Sequence, residues 1–101
     1  MNKGLSIASA VRIKDDVIFN DLQGEVVLLN LKTGIYFGLD PVGTRAWQLI
    51  QDHGSLGPVK DAMLGEYEVS AEDLWKDLQD LVIRLADNGL VEVIDEGDTV
   101  E

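Results

Sequence analysis

Three aspartates, Asp73, Asp77 and Asp80, are the side chains in this sequence whose spacing best fits acid/base chemistry. Steps of four and three residues place them along one side of a helix, and paired carboxylates perform acid/base work when they are buried. Lys76 lies among them, and Arg84 follows Asp80 by four residues. Because opposite charges at this spacing pair on a helix surface, the sequence favours a solvated and partly ion-paired face over a catalytic site.

The remaining residues with catalytic potential are isolated. His53 is the single histidine, and it precedes Gly54 at a predicted helix end, where its expected role is to interact with the terminal carbonyls. The absence of cysteine excludes a disulfide, a thiolate metal site and a cysteine nucleophile. The two glycines of segment 34–38 are too few and wrongly spaced for a phosphate-binding loop. We therefore expect no catalytic residue, no cofactor and no metal.

Charge and hydropathy limit the partners. The chain has a net charge of −11, from 8 Lys and Arg against 19 Asp and Glu, and such a field repels phosphate backbones and acidic membranes. No apolar run approaches the roughly 20 residues that span a bilayer, and the N-terminus is too polar for a secretory signal. The sequence thus predicts a cytoplasmic protein that binds neither nucleic acid nor membranes.

The elements that position these residues fit one domain, since the chain has 101 residues. Alternation and turn residues predict strands at 17–21, 25–30 and 35–39, and the turn at 31–34 makes a hairpin of the last two. A short return strand is predicted at 90–94. Segment 6–16 has no clear period, so no strand is predicted there. Residues 1–9 and the acidic tail 95–101 are expected to be mobile, which leaves a domain of residues 10–94.

Three helices complete the predicted domain. Asp40 and Pro41 are typical of a first helix that ends at Gly54, Ser55 begins a second that ends near Tyr67, and Ser70 begins a third that continues to Asn88. The third helix carries a stripe for burial, formed by Leu74, Leu78, Leu81 and Leu85. Beside it lies a second apolar column of Ala71, Trp75, Val82 and Ala86. The column either covers the sheet or lines a groove for an extended apolar peptide, and the pattern favours neither.

Both faces of the predicted hairpin are apolar. Val26 and Leu28 alternate with Val27 and Leu29, whereas helices cover only one face of such a sheet. Residual apolar surface beside a free edge is typical of a dimerisation face or of a docking site for an added strand. Gly38 within the last strand allows close approach of another chain, although a bend before the helix explains it equally simply.

Several segments together resemble the PqqD-like proteins, the type case of peptide recognition elements in the biosynthesis of ribosomally made, modified peptides. The resemblance covers roughly residues 10–94 and rests on segments 24–29, 33–40, 42–47 and 77–90. It implies an α+β, winged helix-turn-helix-like fold, with a three-stranded antiparallel sheet packed on a three-helix bundle. It also implies a role in pathways such as PQQ biosynthesis, in which the protein captures the leader of a precursor peptide.

Carried over to this sequence, the resemblance implies that the leader adds as an antiparallel strand to segment 35–39 and lies against the third helix. The predicted peptide-binding residues are Ile35, Tyr36, Phe37, Gly38, Leu39, Leu74, Trp75, Asp77, Leu78 and Leu81. We expect one pocket to select apolar leader side chains, formed by Tyr36, Phe37, Leu74, Trp75 and Leu78. Backbone groups of the strand would supply affinity.

Catalysis would then belong to a partner enzyme, which the resemblance implies is a radical SAM maturase or, for lasso peptides, a protease and cyclase. Two alternatives remain open at this point. The first is a homodimeric adaptor that buries the sheet edge against a second copy. The second is a winged-helix transcription regulator, against which the acidic third helix argues, since it would be repelled by phosphates.

Overall fold

Two antiparallel sheets and three helices make up the fold, and the computed structural model describes residues 5–95. The strands are β1 (Ser9–Ile13), β2 (Val17–Asp21), β3 (Val26–Asn30), β4 (Tyr36–Gly38) and β5 (Val91–Asp95). The helices are α1 (Pro41–His53), α2 (Leu56–Glu66) and α3 (Ala71–Asp87). One sheet has the order β2-β3-β4, and β1 pairs with β5 in the other. The predicted α+β class, with a three-stranded antiparallel sheet and three helices, is confirmed.

Local signals set the helix boundaries. The carboxylate of Asp40 accepts a hydrogen bond from the Gly43 N–H at 2.7 Å, and α1 ends where Gly54 adopts a left-handed φ of 74°. The Ser70 hydroxyl accepts from the Asp73 N–H and begins α3. Ser55 begins α2 without a side-chain capping bond. All three predicted starts are confirmed, and for α1 and α3 the capping bonds join residues close in sequence.

The core lies between the helices and the inner face of the three-stranded sheet. All four leucines of the α3 stripe are buried, as are Val26 and Leu28 on β3. Trp47 of α1 is 0 % exposed, and its ring meets the ring of Phe19 on β2 edge to face, with 6.1 Å between centroids. In the second apolar column of α3, Val82 is fully buried and Trp75 lies under Lys60 of α2. Trp75 therefore faces α2, which neither interpretation of the column predicted.

The strand β1 was not predicted, and the expectation that segment 6–16 is irregular was wrong for residues 9–13. Its pattern is weak because Val11 is its only buried large apolar residue. Its partner lies some eighty residues away: Val11 pairs with Val93, and Arg12 forms an ion pair with Glu92. Ser9 and Asp95, which were assigned to mobile ends, form the last pair of this sheet. Residues 1–4 and 96–101 lie outside the described residues, so their mobility stays a prediction.

Asn30, at the end of β3, joins the hairpin to the end of α3. The residue is only 4 % exposed. Its Nδ2 donates to the carbonyl oxygens of Gly89 and Asn88 at 3.0 and 3.4 Å. Its Oδ1 accepts from the backbone N–H groups of Lys32 and Thr33. Asn30 thus satisfies backbone groups of two elements that are distant in sequence.

We expect Asn30→Ala to lower the free energy of unfolding by about 1–2 kcal/mol, because it removes hydrogen-bond partners from part-buried backbone groups of two elements. Urea unfolding followed by circular dichroism measures this loss. Asn20→Ala is the matched control, since Asn20 is exposed on β2, and it should change stability by less than about 0.5 kcal/mol. Equal effects of the two substitutions would contradict the joining role of Asn30.

Among residues 5–95, no helix combines the length and the apolar character that crossing a membrane requires.

Candidate functional site

A cleft of about 650 Å³ runs between α3 and the junction of β4 with α1. Its floor is apolar and is formed by Ala46, Met63, Leu74, Leu78 and Leu81. Its rim is mostly polar and carries Asp40, Val42, Asp77, Asp80, Ile83 and Arg84. A cleft with an apolar floor and a charged rim can bind a peptide that buries its apolar side chains and leaves its polar ones at the rim.

The cleft continues along α3 into a second cavity of about 700 Å³, with which it shares Val42, Leu74 and Asp77. The far wall is the loop between α2 and α3, including Tyr67 and Val69. Val42 and Val69 are 46 % and 48 % exposed, so apolar surface remains available there. Neither valine is among the predicted site residues. The position of Val69 could have indicated it, because Val69 directly precedes the cap residue Ser70. An apolar residue at that position often packs against the fourth residue of the helix, here Leu74.

The strand β4 leads into Asp40 on the rim of this cleft and has a free edge, since among the described residues it pairs with β3 alone. The Leu39 N–H donates to the Val26 carbonyl at 2.8 Å, and the Asn30 N–H donates to the Ile35 carbonyl at 2.9 Å. Hydrogen-bonded pairs alternate in an antiparallel ladder, so Phe37 is the next residue whose backbone groups face β3. The N–H and C=O groups of Tyr36 and Gly38 consequently point toward the free edge.

The side chains of β4 divide between the two faces of the sheet. Phe37 packs against the core, and the Arg84 guanidinium lies over its ring at 5.7 Å from the centroid. This contact joins β4 to the α3 wall of the cleft. Tyr36 is 71 % exposed on the opposite face, where it lines a separate cavity of about 430 Å³ with Ile18, Leu29 and their neighbours. The apolar character that was predicted for both faces of the hairpin is confirmed.

The structure brings together only part of the predicted site. Leu74, Asp77, Leu78 and Leu81 line the cleft, and Phe37 reaches its edge through Arg84. The single pocket predicted from five residues was wrong in its geometry, since Tyr36 lies on the outer face and Trp75 lies under Lys60. Of the other predicted residues, Leu39 is buried, whereas Ile35 and Gly38 are exposed. Whether each of these residues contacts a peptide stays a prediction.

The carboxylates along α3 are not ion-paired. Within residues 5–95 the salt bridges join Arg12 to Glu92 and Arg45 to Glu66. Asp77 and Asp80 are exposed and have no cation within 4.0 Å, so the predicted pairing of Asp80 with Arg84 was wrong. Arg84 leans toward Phe37 instead, because the aromatic face lies beside it in the folded chain.

Thr44 fixes the end of β4 against α1. Its buried hydroxyl accepts from the Val26 N–H at 2.9 Å and donates to the Leu39 carbonyl at 3.4 Å. We expect Thr44→Val to cost about 1–3 kcal/mol of stability, because the Val26 N–H loses its partner inside the core. Faster hydrogen exchange of the Val26 amide would report the loss, and Thr44→Ser should largely restore protection. Equal exchange in both variants would contradict the role of the hydroxyl.

Comparison with known proteins identifies the family. The family model of coenzyme PQQ synthesis protein D (PqqD) matches residues 25–91, which run from the start of β3 to the first residue of β5. The solved structure of TbiB1 in complex with the TbiA(beta) leader peptide is similar, with 41 % identity and a TM-score of 0.77 over 80 % of this chain and 94 % of that one.

A lasso peptide synthetase B1 complexed with the leader peptide is also similar, with 27 % identity and a TM-score of 0.69 over 82 % of this chain and 98 % of that one. A search of curated protein sequences found no match. The segment matched by the family model contains α1, α2 and α3, and so every residue that lines the cleft. The chain belongs to the PqqD family.

Proposed function

We propose that this protein captures the leader of a ribosomally made precursor peptide by strand addition at the free edge of β4. The observation that carries the proposal is the position of the unpaired backbone groups of Tyr36 and Gly38 beside an apolar cleft. Two relatives that were solved with leader peptides, at 41 % and 27 % identity, support it. The site comprises Ile35 to Leu39 together with Leu74, Asp77, Leu78 and Leu81.

The division of labour in this site follows from strand geometry. Backbone bonds from an added strand supply affinity without regard to sequence, and alternate side chains supply specificity. Leader side chains on the inner face would meet Phe37 and the cleft floor, where Leu78 and Leu81 are buried. Side chains on the outer face would lie beside Tyr36. Trp75 is left out of the proposed site, because it faces α2.

We further infer that the protein is an adaptor without catalytic activity and that a separate enzyme modifies the captured peptide. Holding the leader raises the effective concentration of the attached core at that enzyme. The candidates are a protease and cyclase of lasso peptide synthesis or a radical SAM maturase. The name of one solved relative, a lasso peptide synthetase B1, favours the lasso pathway. A purified protein that cleaved or cyclised a precursor alone would refute the adaptor role.

Nuclear magnetic resonance tests the strand addition directly, with the TbiA(beta) leader peptide as the probe and the isotope-labelled protein as the target. We expect shifts in β4 and in residues 74–84, and slower hydrogen exchange of the Tyr36 and Gly38 amides once new bonds form. Light scattering should show a 1:1 complex. Shifts confined to the β2 edge would place the peptide there and refute the proposed site, whereas a dimer that the peptide does not alter would favour the homodimeric adaptor instead.

A further inference from the structure

Charge along the rim of the cleft is polarised. Asp77 lies beside Val42, with which it lines both cavities, just after β4 leads into α1, and Arg84 lies beside Phe37 of β4. Asp80 lies between Asp77 and Arg84 on α3. α3 therefore runs opposite in direction to β4. The two α3 carboxylates have no cation within 4.0 Å among the described residues, so both remain available to a ligand. One end of the cleft is acidic and the other end is basic.

Arg84 can bind an anionic group of a ligand. Its guanidinium lies over the Phe37 ring at 5.7 Å, and within residues 5–95 no carboxylate lies within 4.0 Å of it. A guanidinium over an aromatic face is attracted to the ring, and its planar fork of N–H donors matches the two oxygens of a carboxylate. The basic end of the cleft thus presents a guanidinium that, among residues 5–95, has no carboxylate within 4.0 Å.

The hydrogen-bonding pattern of β4 places one peptide side chain beside this donor. Because the backbone groups of Phe37 face β3, a peptide residue opposite Phe37 would form a non-hydrogen-bonded pair, in which Cα atoms approach to about 4.5 Å. Its side chain would lie on the inner face with Phe37 and would meet Arg84. In an antiparallel peptide, the residue four positions earlier would lie about 13 Å away, on the same face and toward Asp40.

The spacing along α3 is compatible with this register. Seven residues separate Asp77 from Arg84, which corresponds to about 10 Å along a helix. The two peptide positions are about 3 Å farther apart than Asp77 and Arg84 are along the helix, and a lysine or arginine side chain is long enough to span this difference. Reversing the direction of the peptide would place like charges together at both ends of the cleft, so the same residues disfavour a parallel strand.

We propose that the cleft selects a leader whose strand-forming segment carries a basic side chain and, four residues later, an acidic one. Asp77 and Asp80 contact the basic side chain, and Arg84 binds the acidic one. This inference rests on the proposed leader binding and adds to it a charge pattern, which fixes the register and direction of the peptide. The net charge of −11 adds a long-range attraction for the basic residue.

Fluorescence anisotropy with labelled variants of the TbiA(beta) leader peptide tests the charge pattern. Each peptide position is replaced in turn by Lys and by Glu, and the Kd is measured for every variant. We expect one position at which Lys binds roughly three- to fivefold more tightly than Glu, and a position four residues later with the opposite preference, as for partly exposed ion pairs. Both preferences should fade in roughly 0.5 M salt, because salt at this concentration screens the attraction between exposed charges.

Protein variants assign each preference to its residues. Asp77→Asn with Asp80→Asn should abolish only the preference for Lys, and Arg84→Gln should abolish only the preference for Glu. Asp15→Asn with Asp61→Asn changes the net charge by the same amount at exposed positions outside the cleft and should abolish neither. Circular dichroism confirms that each variant is folded.

The outcomes separate the two proposals. If the parent peptide binds but no such pair of positions exists, or if the preferences survive the cleft substitutions, the charge pattern is refuted and leader binding stands. If no peptide of the series binds the folded protein, leader binding is refuted for this leader, and the charge pattern fails with it.

Discussion

Gly38→Pro is expected to weaken peptide binding at least tenfold while leaving the protein folded. Proline removes the N–H group that β4 offers at its free edge, and its ring occupies the space that an added strand needs. The loss of one backbone bond together with this steric conflict corresponds to roughly 1.4 kcal/mol or more, or a factor of ten in Kd. The Gly38 N–H has no partner in β3, so the intramolecular ladder keeps its bonds.

Two further variants make the Gly38 experiment specific. Gly38→Ala keeps the N–H, and its added Cβ would meet no atom within 4 Å, so it should cost far less affinity. Asp21→Pro removes an equivalent outward N–H from the other edge of the sheet, since Leu22 pairs with Glu25 through hydrogen bonds and pairing alternates. Isothermal titration calorimetry measures the affinities. If Asp21→Pro abolishes binding and Gly38→Pro does not, the peptide adds to β2 and the proposed site is wrong.

Trp47→Ala should cost about 3–5 kcal/mol of stability, the range for truncating a buried large aromatic residue. The side chain is 0 % exposed and supports the sheet through Phe19. Since domains of this size have total stabilities of about 5–15 kcal/mol, such a loss removes much of the margin. Trp47 Nε1 has no hydrogen-bond partner among the described residues. Trp47→Phe should therefore cost much less, because it keeps an aromatic ring and removes that unsatisfied donor.

Trp75 provides the matched comparison, because the same substitution acts on a half-buried ring. Trp75→Ala should cost only about 1 kcal/mol, from partial burial and the loss of the contact with Lys60. Because its ring faces α2, we also expect peptide affinity to change less than twofold. Urea unfolding and titration calorimetry give the two values. A tenfold loss of affinity in Trp75→Ala would restore it to the binding site, as the resemblance had implied.

Residues close in sequence decided the features that were predicted correctly. Asp40 with Pro41, and Ser70 with Asp73, begin helices through contacts within one turn. The β3–β4 hairpin follows from apolar alternation and from the left-handed φ of 77° that Gly34 adopts in its turn. The stripe from Leu74 to Leu85 is buried as its period predicts, because helical periodicity is a local property.

The errors share a different cause, which is that the deciding contacts join residues far apart in the chain. β1 has too weak a pattern to be detected without β5, some eighty residues later. Arg84 lies over the ring of Phe37, which is 47 positions earlier in the chain, and does not pair with Asp80. Trp47 is buried as the periodicity of α1 predicts, whereas only the packing of α3 against α2 places Trp75 beside Lys60.

The sequence by itself therefore determined the composition of the site's elements: an acidic chain, an edge strand without catalytic groups, and a helix with a leucine stripe and a row of carboxylates. Only the tertiary structure decided which side chains share the cleft, which edge groups are free, and that its two ends carry opposite charge. The physical reason is that a groove between elements is defined by their relative placement. That placement depends on the joint packing of α1, α2, α3 and both sheets, which no local pattern encodes.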